Sequence, residues 1–165
     1  MRARQISGMV AMLVWFTAVL AAEPPVALAE PVMKVVYHVD FSDPRRFSAT
    51  LQSVNNMVTV YQQQLQEYDV RIVFVSHGIR FVTADPLTGT PFAVDKELKA
   101  RRKEFVDRLK GLQKIQDVKL ELCEITREMV NLSPDALLPG VEQVRSGVVR
   151  LAELQRQGFA YIKVE

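Results

Sequence analysis

One thiol and two imidazoles carry most of the reactive chemistry of this 165-residue chain: Cys123 is its only cysteine, and His38 and His77 are its only histidines. A lone cysteine has no partner for an internal disulfide. Three roles remain: a reactive thiol, an intermolecular link, or a small apolar residue in the core. Reactivity requires the thiolate. A helix start just after Cys123 favours that anion, because backbone N–H groups converge there. In "KLELCEITREM", Glu121 and Glu124 act against it through their charge. Imidazole and thiolate together suit zinc or copper, but no two of the three residues stand at a ligand-pair spacing, so no metal is expected. His77 is the available base for a nucleophile, yet no triad signature surrounds it. "VSHGIRF" has a single glycine and does not read as a phosphate loop.

The elements that would position these residues alternate between strand and helix. "MKVVYHVD" (33–40) reads as a strand buried on both faces, with His38 near its end. Asp43 and Pro44 then supply an N-cap and a first helical residue. Phe47, Leu51, Val54, Val58, Tyr61 and Leu65 follow as one apolar stripe of about five turns. "DVRIVFVSHG" (69–78) is a second strand that carries His77 at its end, and 79–94 is a long loop with one helical turn at its start. The mixed-charge stretch 95–114 is a helix with Leu98, Phe105, Leu109 and Leu112 inward. "DVKLELC" (117–123) is a third strand. Its Lys119, Glu121 and Cys123 share one face, so that face is expected to be exposed or covered by a partner, with Cys123 at least partly accessible.

Beyond it come a short helix from about Thr126, a turn capped at Ser133, a fourth strand at 141–144, a helix at 146–157 closed by Gly158, and a fifth strand at 159–164. Strands regularly separated by helices predict an α/β fold with a mostly parallel five-stranded sheet. In such sheets ligands gather at the carboxyl ends of the strands, which is where His38, His77 and Cys123 fall.

The first 29 residues read differently. Arg2 and Arg4 precede an apolar run from Val10 to Ala22, and Ala27-Leu28-Ala29 fits a signal-peptidase site. The run is shorter than the roughly 20 residues a spanning helix needs. A Sec-type signal peptide cut after Ala29 is expected, leaving a single domain over 30–165 in the periplasm or outside the cell. Its removal takes Arg2, Arg4 and Glu23, so the formal charge falls from +2 to +1. A surface that near neutral gives no reason to expect nucleic acid or an acidic membrane as partner.

"KVVYHVDFSDPRRF", "VSHG", "VKLELCEIT" and "LLPGVEQVRSGVVRLAELQRQGFAYIKV" together resemble the DsrE/DsrF-like family of small sulfur-relay proteins, across almost all of 33–164. The resemblance implies a three-layer α/β/α sandwich that assembles into oligomers, here most simply a homo-oligomer. It also implies a cysteine that carries sulfur as a persulfide between donor and acceptor proteins. Cys123 matches that cysteine and Thr126 the threonine three residues later; the family often carries Gly-Asn between them, where this chain has Glu124-Ile125. No cofactor is expected other than covalent sulfur on Cys123, with His77, His38 and Thr126 as candidate binding or thiolate-supporting residues. The alternative is a non-catalytic oligomeric binding module with a cleft at the strand ends, in which Cys123 is dispensable.

Overall fold

The computed structural model describes residues 31–165, so the signal-peptide expectation lies outside the described residues. Five strands form one sheet: β1 (Met33–Val39), β2 (Tyr68–Phe74), β3 (Lys119–Cys123), β4 (Val141–Val144) and β5 (Ala160–Ile162). Their order is β4-β3-β2-β1-β5, and every neighbouring pair is parallel. The chain steps from β1 to β4 in one direction and then returns past the whole sheet to β5. Parallel crossovers are right-handed, so reversing direction moves the crossover helix to the other face. Accordingly α1 (Pro44–Gln63) and α2 (Lys96–Gln116) lie together on one face. On the other lies α4 (Gly147–Arg156), which makes the return, while α3 (Glu124–Met129) follows directly on β3. This is the expected α/β layered fold, with a sheet that is parallel throughout. Among the described residues, no helix is long and apolar enough to cross a membrane.

The helices begin where the sequence places their caps. The Asp43 carboxylate accepts from the backbone N–H groups of Arg45 (2.7 Å) and Arg46 (3.2 Å), with Pro44 in the first turn where its missing N–H is harmless. Asp95 does the same for α2 by accepting from Leu98 N–H at 2.8 Å. Phe47, Leu51, Val54 and Val58 of α1 are buried, as are Leu98, Phe105, Leu109 and Leu112 of α2. Leu65 corrects the predicted stripe: α1 ends at Gln63, and Leu65 takes a left-handed backbone (φ 54°) with 93% of its surface exposed. The main core joins these helices to the odd-numbered residues of β1 and the even-numbered ones of β2 and β3. At its centre Phe47 stacks on Phe81 at 3.9 Å and meets Phe74 and Phe105 edge-on.

β2 is shorter than predicted. It ends at Phe74, and Ser76–Phe81 form a 3₁₀ helix, so His77 sits one turn beyond the strand instead of closing it. The loop that follows is held down by two arginines. Buried Arg80 donates to Ala93 O (2.7 Å) and Asp95 Oδ2 (2.8 Å), and Arg102 of α2 donates to the carbonyls of Arg80 and Thr83. A long segment broken by Pro86, Gly89 and Pro91 thereby becomes a fixed surface of the domain.

Candidate functional site

The second face of the sheet carries every residue singled out for chemistry except His77 and Thr126. Pleating turns His38 of β1, Arg71 and Val73 of β2, and Glu121 and Cys123 of β3 toward α4. A small second core of Val36, Val73, Leu151, Leu154 and Phe159 glues α4 across them. Lys119, Glu121 and Cys123 were expected to face solvent or a partner. Instead α4 covers the inner part of that stripe: Glu121 is fully buried and Cys123 is 4% exposed, while Lys119 stays partly exposed.

Cys123 is the last residue of β3 and the N-cap residue of α3, and its side chain makes no capping hydrogen bond. What closes over it is Gly147, the first residue of α4. A Cβ at that position would lie 3.1 Å from Cys123 Cβ and 2.6 Å from Val75 Cγ2. Only glycine lets the helix backbone come that close, so the glycine is a packing requirement of the cysteine's own environment. Ser146 caps the helix by accepting from Val149 N–H.

Both glutamates beside the thiol are already taken. The Glu121 carboxylate receives Arg71 Nη1 at 2.7 Å, and Arg150 of α4 reaches it through Nε at 2.7 Å and Nη2 at 2.9 Å. Burial alone would raise its pKa, but the hydrogen bonds from Arg150 and Arg71 more than offset this and hold it below the usual glutamate range. Arg71 is in turn gripped by both oxygens of Asp69 (3.0 and 2.7 Å). Glu124 pairs with Arg145 at 3.1 Å and Arg127 at 3.8 Å. Sequence reasoning missed Arg71 and Arg150. A signal was there, since Arg150 shares the inward stripe of α4 with Gly147, Leu151 and Leu154, opposite a polar strand face.

Of the remaining candidates, His38 stands apart from the thiol. His38 is two strands from Cys123, with β2 between them. Its Nδ1 shares a 2.8 Å hydrogen bond with the Tyr161 hydroxyl, and its Nε2 lies 3.9 Å from Asp40, which Lys163 also engages at 2.9 Å. Burial lowers the His38 pKa, partly countered by Asp40, which favours the neutral ring. His77 lies edge-on to Phe92, and its Nδ1 is 3.3 Å from Ser76 Oγ. Among the described residues, no three histidine, cysteine, aspartate or glutamate side chains come together as a metal site.

Thr126 acts on position. Its buried hydroxyl accepts from Ser76 N–H at 3.0 Å, tying the turn that carries His77 to the helix that starts at Cys123. Thr126→Val keeps the shape and removes the acceptor. It is expected to lower stability by about 1–3 kcal/mol, read from the urea midpoint, with Thr126→Ser near wild type.

Among the described residues, two surface clefts stand out. The larger, about 400 Å³, runs between α1 and α2 and is lined by residues such as Gln52, Asn55, Arg108 and Ile115, on the face opposite Cys123. The other, about 310 Å³, is lined by Val144, Arg145, Ser146, Val149, Arg150 and Glu153. Val144 is the register partner of Cys123, so this second cleft lies next to the strand end that carries the thiol, and Cys123 itself does not line it.

Residues 34–164 match the DsrE/DsrF-like family. The chain belongs to that family. Two solved structures share the architecture of this DsrE-like chain. A protein of unknown function, MTH1491 from Methanobacterium thermoautotrophicum, is 25% identical with a TM-score of 0.56, covering 79% of this chain and 98% of its own. The ychN protein from E. coli is 17% identical with a TM-score of 0.52, covering 80% and 99%. Among curated proteins none matches the sequence.

Proposed function

We propose that this DsrE-like protein is a sulfur carrier working outside the cytoplasm as a homo-oligomer, with Cys123 as the residue that holds the sulfur. The Cys123 thiolate attacks the outer sulfur of a donor persulfide or polysulfide. An Sγ–S bond forms as the donor's S–S bond breaks, and the electron pair leaves on the donor sulfur. An acceptor thiolate then takes the terminal sulfur and releases Cys123 as thiolate. No net oxidation occurs at any step.

The placement of Cys123 carries this reading. The only thiol of the chain ends an inner strand of the sheet, at a helix start, with no hydrogen bond committing its side chain to capping, and with its neighbouring carboxylates neutralised by arginines. Intact mass of the mature protein after exposure to polysulfide tests it. The expected result is a reductant-sensitive gain of whole sulfur atoms, absent from Cys123→Ser. A Cys123→Ser protein that folds normally, beside a wild type that gains nothing, would reject the carrier.

The second reading is a non-catalytic binding module, and the 4% exposure of Cys123 favours it. It requires that Cys123 alkylate only on global unfolding and that Cys123→Ser change nothing but stability.

A further inference from the structure

A thiol that exchanges sulfur has to meet its donor, yet Cys123 lies under the first turn of α4. The two ends of that helix are held very differently. Leu151 and Leu154 anchor its second half in the small core with Val36, Val73 and Phe159. The first turn has no such anchor: Val148 is 65% and Val149 55% exposed, and Gly147 offers no side chain at all. Beside it, the cleft of about 310 Å³ leaves the β4 side of the helix unsupported. The helix's own hold on this end is the two-pronged contact of Arg150 with buried Glu121, while Arg145, just before the helix, pairs with Glu124 at 3.1 Å.

We propose that the first turn of α4 is a latched cover over Cys123, held shut by the Arg150–Glu121 pair and opening locally into the cleft beside it. Arg150 is a positioning residue: it acts on the thiol only through the helix that lies on it. The geometry lets the latch release without leaving an orphaned charge. When Arg150 lets go, Glu121 keeps Arg71 at 2.7 Å, and Arg150 lines the open cleft with Glu153 already 4.0 Å away. A closed cover shields the thiol from irreversible oxidation, to which an exposed thiolate is prone. That purpose rests on the sulfur-carrier reading; the mechanics do not.

Alkylation of the folded protein by iodoacetamide, followed by mass, reads the cover without any sulfur donor. Wild type is expected to react far more slowly than the unfolded chain, at a rate that depends only weakly on low urea, the signature of local opening. Arg150→Met is expected to raise the rate at least tenfold while the circular dichroism spectrum is retained, and Arg150→Lys to restore part of the protection. Gly147→Ala opens the cover by a separate route, since its Cβ wedges against Val75, and it too is expected to speed labelling. A wild-type rate that climbs with urea along the global unfolding curve would overturn the cover, whether or not the variants fold. So would an unchanged rate in a folded Arg150→Met. The two readings fail separately: latch-dependent alkylation without sulfur loading removes the carrier and leaves the cover, while loading by a thiol indifferent to the latch does the reverse.

Discussion

Glu121→Ala is expected to destabilise the protein by about 1.5–3 kcal/mol, because it removes the one buried carboxylate on which two part-buried guanidinium groups converge. Asp69 keeps part of Arg71 satisfied, whereas Arg150 retains only Glu153 at 4.0 Å. Arg150 and α4 therefore bear most of the loss. The same pair gives a dependence on pH. In the folded chain burial opposes ionisation of Glu121, but Arg150 and Arg71 outweigh it and hold the pKa below its unfolded value. A group depressed in this way contributes stability that is complete above about pH 4.3, the ordinary glutamate value, and is lost as pH falls through the folded value. Urea midpoints of wild type and Glu121→Gln, taken from pH 7 down to 3, check it. The difference between them should shrink on acidification. A constant difference across that range would mean that Glu121 is not ionised by this network.

Most of the scaffold was legible in the sequence because its signals are local. Asp43-Pro44, Asp95 and Ser146 sit where the helices start, and the single-face stripes of α1 and α2 follow from spacing alone. Leu65 misled because a stripe counts apolar residues and does not record where the backbone leaves the helix. His77 was misplaced by three residues for a similar reason: "VFVSHG" stays β-like in composition after the pairing partners of β2 run out at Phe74. The third strand failed at a different level. Alternating Lys119, Glu121 and Cys123 reads as a wet face only if nothing complementary covers it, and the complement lies 29 residues away from Glu121 at Arg150. Long-range charge pairing leaves no period in a sequence. The cysteine's position was therefore readable, and its burial was not.

Phe47→Ala separates the two faces of the sheet. Phe47 is fully buried among Phe74, Phe81 and Phe105, so its loss removes a large apolar surface and leaves a cavity, an expected cost of about 3–5 kcal/mol in the urea midpoint. That is a large share of the stability of a single domain. Yet Phe47 belongs to the α1 and α2 face, whereas Gly147, Arg150 and the second core hold the face on which Cys123 lies. If the thiol is uncovered by local movement of α4, its native alkylation rate in water should stay within about twofold of wild type in Phe47→Ala, because local opening does not draw on the global free energy. If instead the rate rises by the factor that the lost stability implies, Cys123 is reached only when the whole domain unfolds. One variant far from the thiol thus reports whether the cysteine is presented by the fold or enclosed by it, and only a presented thiol can pass sulfur to a partner.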